Sequence, residues 1–167
     1  MISRMKIINK RAGAGGFTLM ELVIVAVLIG ILAALAVPLF GRTIPRLKSH
    51  AEARGILNTI RIARSRAIAE NTQYGVYLDT NARNYILFKD KVNLSLMTYE
   101  TGDSVVAAPV ILDSRVVYTG VNFNNNCVVM LATGAASQSG TVAINNTTGD
   151  APYTISVLAA TGKTKIQ

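Results

Sequence analysis

Half of the 167 residues are hydrophobic and only 16% are charged, which leaves room for one modest globular domain plus something unusually apolar. One cysteine, Cys127, excludes an internal disulfide framework, and with His50 as the only histidine neither a transition-metal centre nor a Cys-His catalytic pair can be assembled. The formal charge of +8 does not mark a duplex binder: Arg4, Lys6, Lys10 and Arg11 sit at the extreme N-terminus, and seven more basic residues between Arg42 and Arg66 face only Glu52, so no sequence-wide basic footprint exists.

Residues 1–16 form a basic leader with no acid in it, followed by G-G-F-T-L-M-E from Gly15 to Glu21 and an apolar run from Leu22 to Val37. As a helix, Leu22 to Phe40 is about 28 Å long, a match to a hydrocarbon core of about 30 Å, so the segment can cross a membrane once. Arg42, Arg46, Lys48 and Arg54 balance the basic leader, which leaves orientation undecided by charge alone. Ala34-Leu35-Ala36 satisfies a secretory cleavage pattern, and cutting there would release a soluble protein beginning at Val37. Glu21 argues the other way. An acid drawn to the membrane centre costs roughly 2.5 to 3.5 kcal/mol, and a secretory signal gains nothing from it. Such a carboxylate either rests among headgroups or finds a positive partner, and cleavage after Gly16 would create one at the amine of Phe17.

This junction resembles the class III signal of type IV pilins and type II secretion pseudopilins, with glycine at the cut, a lone carboxylate at a fixed offset and an uncharged run behind it. The resemblance implies that a prepilin peptidase cleaves after Gly16 on the cytoplasmic side and methylates the Phe17 amine. It implies that the apolar segment stays attached and that Glu21 meets the amine of a neighbouring subunit, setting register. The implied partners are other pilins or pseudopilins through the N-terminal helix, the inner membrane and the assembly platform. The C-terminal domain would be periplasmic before entering a periplasmic or cell-surface filament.

Pro38, Gly41 and Pro45 predict a bend or local melting of the helix. Beyond them Ile56, Ile60, Ala63 and Ala67 share one helical face while Arg54, Asn58, Arg61 and Ser65 share the other, an amphipathic stem whose arginine side meets water, lipid headgroups or a neighbouring subunit. After Tyr74 the period changes to two. Strands are predicted at 74–78, 85–89, 105–112, 115–119, 127–131, 141–145, 153–158 and 163–166, the first two joined as a hairpin by Asp79 to Arg83. The expected fold is α+β: a long hydrophobic and amphipathic N-terminal helix packed on a small antiparallel β domain of seven or eight short strands. The predicted organisation is a removed leader (1–16), a transmembrane or filament-core helix (17–40), a stem helix (41–72) and a globular β domain (73–167).

The stretch from Ala63 to Asp79, with S-G-T-V-A-I-N at Ser139 to Asn145 and T-G-K-T-K-I at Thr161 to Ile166, resembles the GspH and FimT minor pseudopilins and minor pilins. Some of these relatives are implicated in DNA uptake through a T-G-R-x-R ending, so Lys163 and Lys165 become candidate phosphate contacts on one strand face. Lysine in place of arginine leaves point charges without a bidentate fork. An exported substrate is the other implied ligand. No P-loop, dinucleotide fingerprint or nucleophile elbow occurs, so no enzyme and no cofactor is implied. Asp79, Asp90, Asp103 and Asp150 read as turn formers, Cys127 as a buried small hydrophobe, and His50 as an exposed helix residue.

Overall fold

The computed structural model describes residues 16–167, leaving aside the side chains of Val37, Pro38, Leu39 and Arg42; Arg4, Lys6, Lys10 and Arg11 lie outside the described residues. Helix α1 runs from Leu19 to Ala69. Thr18 caps it, its hydroxyl accepting the Glu21 N–H at 3.2 Å, so Glu21 is the third residue of the helix and its only first-turn acid. The helical assignment continues through Pro38, Gly41 and Pro45. Of the predicted bend or local melting, the melting does not occur, since α1 is one helix across all three residues. At the other end Asn71 takes φ 49°, and the Thr72 N–H returns to the Ala67 carbonyl at 3.1 Å, which satisfies carbonyls that the helix leaves open.

The chain divides into two units, one ending at Phe40 and one from Gly41 to Gln167. In the first, Leu19 to Ala36 has a mean hydropathy of 2.8 and none of it is buried. In the second, α1 lays Ala53, Ile56, Leu57, Ile60, Ala63 and Ala67 on a shared core while Arg54, Asn58, Arg61 and Ser65 stay exposed, the division that the helical period predicts.

Nine strands follow: β1 Tyr74–Asp79, β2 Asn84–Lys89, β3 Ser104–Val105, β4 Val110–Ile111, β5 Val116–Val121, β6 Cys127–Met130, β7 Gly140–Asn146, β8 Tyr153–Leu158 and β9 Lys163–Ile166. One antiparallel sheet has the order β3-β2-β1-β6, with β4 also on β2; the other has the order β5-β7-β8-β9. The single strand predicted at 105–112 is two short pieces on the same edge of β2, and Pro109, which has no N–H to give a ladder, lies between them. The β1–β2 hairpin forms as predicted, with Asp79 Oδ1 accepting the N–H groups of Asn81 and Ala82 at 2.9 and 2.8 Å. Both sheets feed the core against α1, through Val76, Leu78, Val128, Val142, Ile144 and Ile155 among others.

A second, smaller cluster lies on the other side of the first sheet. There Phe88, Cys127 and Val129 are buried beneath Tyr77, Met97 and Tyr99. Gly75 is required at this point, since a Cβ on it would stand 2.3 Å from the Phe88 ring. Burial pushes the Cys127 thiol up to about 12, so it is an inert apolar filler. Asp90 is not a turn former. It is 2% exposed, one of its oxygens has no hydrogen-bond partner, and burial followed by the charges of Asp103 and Glu100 raises its carboxyl above the usual range. His50 is half-buried with its ring 5.4 Å from that of Tyr153, where the sequence predicts an exposed position.

Two carboxylates fasten the start of the stem to the loops of the second sheet. Asp113 receives Arg115 at 2.9 Å and Lys48 at 3.4 Å; Asp150 receives the Arg46 guanidinium at 2.8 Å. Hydrogen bonds from Asn146, Thr148 and Arg46, in that order, hold the Asp150 carboxyl down to about 2. A depressed folded-state pKa stabilises the fold above the unfolded value of about 3.9, and that contribution disappears as the pH falls toward 2. The thermal midpoint is therefore expected to drop between pH of about 4 and 2, and Asp150→Asn should lower the midpoint at neutral pH while flattening this acid limb. An unchanged acid limb in the variant would remove Asp150 from the account.

Candidate functional site

The described residues carry two features with functional potential, one in each unit. The first is the start of α1. Gly16, Phe17 and Glu21 are all exposed, Phe17 at 77%, and Glu21 stands at the head of the apolar window with no charged residue before its end at Ala36. The capping position of Thr18 gives Glu21 a local reason to be acidic, because a carboxylate three residues into a helix favours the positive end of its dipole. The T-L-M-E sequence itself carries this signal, a capping threonine with an acid three residues on.

The second is a groove of about 690 Å³ between the exposed side of α1 and the β8–β9 turn, lined by Arg61, Arg64, Ser65 and Ile68 on one side and by Thr161 to Thr164 on the other. Two glycines make the close approach possible. Gly162 has φ 61°, and a Cβ on it would fall 2.2 Å from the carbonyl oxygen of Gly134, itself at φ 82°. Arg64 Nε donates to that same oxygen at 2.8 Å, and Arg61 Nε donates to the Thr164 hydroxyl at 3.3 Å. Helix, loop and hairpin are thereby tied together at one point.

Lys163 and Lys165 are both exposed on β9, while Thr164 meets Arg61 and Ile166 packs toward the core, so the two lysines project from the opposite side of the strand. Lys163 reaches the groove and Lys165 does not line it. Among the described residues no group of three or more His, Cys, Asp and Glu side chains is placed to hold a metal ion.

An apolar N-terminal helix and a β domain built on the helix's amphipathic continuation define a pilin-like structural subunit. Residues 52–161 match the family of the type II transport protein GspH, and the chain belongs to that family. The fold agrees with solved structures. The minor pseudopilin EpsH from the type 2 secretion system of Vibrio cholerae aligns with a TM-score of 0.55 at 12% identity, covering 72% of this chain and 96% of that one. The type IV minor pilin FimU of Pseudomonas aeruginosa aligns at 0.53 with 13% identity, covering 73% and 90%. No curated protein sequence matches. The chain is thus a structural subunit of a pseudopilin family, which implies assembly with other pilin-like subunits; it is not an enzyme, and its N-terminal helix is long and apolar enough to anchor it in a membrane.

Proposed function

We propose that the chain is a minor pseudopilin or minor pilin that is cut after Gly16 by a prepilin peptidase, methylated on the Phe17 amine, and packed through its N-terminal helix into a type II secretion pseudopilus or a type IV pilus. The observation that carries this reading is the apolar window from Leu19 to Ala36: none of it is buried in the single chain, it is interrupted only by Glu21, and it begins two residues after Phe17. Exposed apolar surface of that extent needs lipid or other helices around it. In the membrane the leader faces the cytoplasm and the β domain the periplasm. The assembly platform then draws the helix from lipid into the filament, where neighbouring apolar segments replace the acyl chains. There Glu21 pairs with the Phe17 amine of an adjacent subunit.

Mass spectrometry of the protein from its native membrane tests the processing. The expected species begins at Phe17 and carries one added methyl group, and deleting the peptidase should leave the leader in place. A species beginning at Val37 would replace this reading with an ordinary secretory signal.

A DNA-holding subunit is the second reading, supported by the shared exposed face of Lys163 and Lys165. It draws less support, because the chain from Ala67 onward carries six basic residues against seven acidic ones and offers little long-range attraction to a polyanion.

A further inference from the structure

We propose that the groove between α1 and the β8–β9 turn binds an acidic, aliphatic peptide segment of a partner protein, gripped by Arg61 and Arg64. Every charged residue lining it is basic. Neither arginine is paired with a carboxylate among the described residues, whereas Arg46, Lys48, Lys89 and Arg115 all are. Each arginine is tethered by Nε alone, Arg64 to Gly134 and Arg61 to Thr164. Anchoring at Nε fixes the plane of the guanidinium and leaves the terminal nitrogens as a prepared fork for a carboxylate.

The chemistry of the walls selects the ligand class. Ile68 is half exposed and provides an aliphatic wall beside the cations. No aromatic ring lines the groove, so there is no platform on which a single-stranded base could stack. A concavity of about 690 Å³ suits a few side chains and is too small to seat a duplex. Carboxylates interspersed with aliphatic side chains complement all of these surfaces together. The site lies wholly in the second unit, and the proposal stands independently of filament packing through the apolar segment.

The test uses the full chain in detergent and a short fluorescent peptide alternating glutamate and leucine, with a glutamine-for-glutamate peptide as its neutral control. Anisotropy is expected to report binding of the acidic peptide, weakened by salt, and none of the neutral one. Arg61→Gln with Arg64→Gln should weaken binding about tenfold or more. Because Arg64 also supports the Gly134 loop, Arg61→Lys is the decisive single variant: it keeps the charge, loses the fork, and should still weaken binding several-fold. Lys91→Gln, an exposed residue outside the groove, should leave binding unchanged. Equal binding of the neutral peptide, no binding by the wild type, or wild-type affinity in the arginine variants would overturn the proposal. So would displacement of the peptide by an equal concentration of duplex DNA, which would assign the groove to nucleic acid.

Discussion

A chain carrying Glu21→Gln is expected to reach the membrane and be processed normally, yet to enter filaments at least tenfold less well than the wild type. Glutamine separates the first-turn role of this residue from the proposed pairing. In the third helical position it still suits the Thr18 cap. It cannot supply the charge that the proposed pairing with a neighbour's Phe17 amine requires. Loss of the interaction with the helix dipole alone costs about 0.3–1 kcal/mol, whereas breaking a buried ion pair by removing one partner costs about 3–5 kcal/mol, since the surviving charge is left unpaired in a low dielectric. With about 1.4 kcal/mol per factor of ten, only the second effect depletes filaments heavily. Membrane insertion is not at risk, because the substitution removes the one charge at the head of the apolar window. Co-isolation of the variant with its filament, measured against its level in the membrane, gives the ratio. Incorporation at the wild-type level would return Glu21 to a capping role and sink the pairing.

Much of this fold is legible in the sequence because it rests on periodicity. The Ile56, Ile60, Ala63 and Ala67 face, the Asp79 hairpin and the strands at Tyr153–Leu158 and Lys163–Ile166 all follow from local patterns. What escapes reading depends on residues far apart in the chain. The run at 105–112 carries a strand pattern throughout, yet it joins β2 only at its two ends. Asp90 lies beside turn residues and reads as a turn former, and only its burial in the fold reveals a carboxylate out of solvent. The groove is the clearest case. Arg61 reads as part of the polar face of the stem, and Thr161-Gly162 as the start of the T-G-K-T-K-I ending, with nothing to join either to Gly134. Gly134 is 70 residues from Arg64 along the chain, so no window of sequence shows that the two glycines meet beneath the arginine. The T-G pair itself gives no local hint, since it also occurs at Thr101-Gly102, Thr119-Gly120 and Thr148-Gly149.

The stem supplies the second large effect, through a comparison of one side chain at two positions. Ile60 is 0% exposed, within the core that both sheets share, whereas Ile62 is 46% exposed two residues further along α1. Helix propensity changes equally in the two alanine variants, so the difference between them isolates packing. Ile60→Ala is expected to destabilise the second unit by about 2–5 kcal/mol, the lost transfer free energy plus the cavity left between α1 and the sheets. Against a total stability of about 5–15 kcal/mol that is a large fraction, and the variant should melt well below the wild type. Ile62→Ala should stay within about 0.5 kcal/mol of it, as surface changes usually do. Urea unfolding of the full chain in detergent, followed by tyrosine fluorescence, measures both variants under one condition. Equal midpoints for the two would mean that the stem does not present Ile60 to the β domain, and the packing of α1 described above would have to be abandoned.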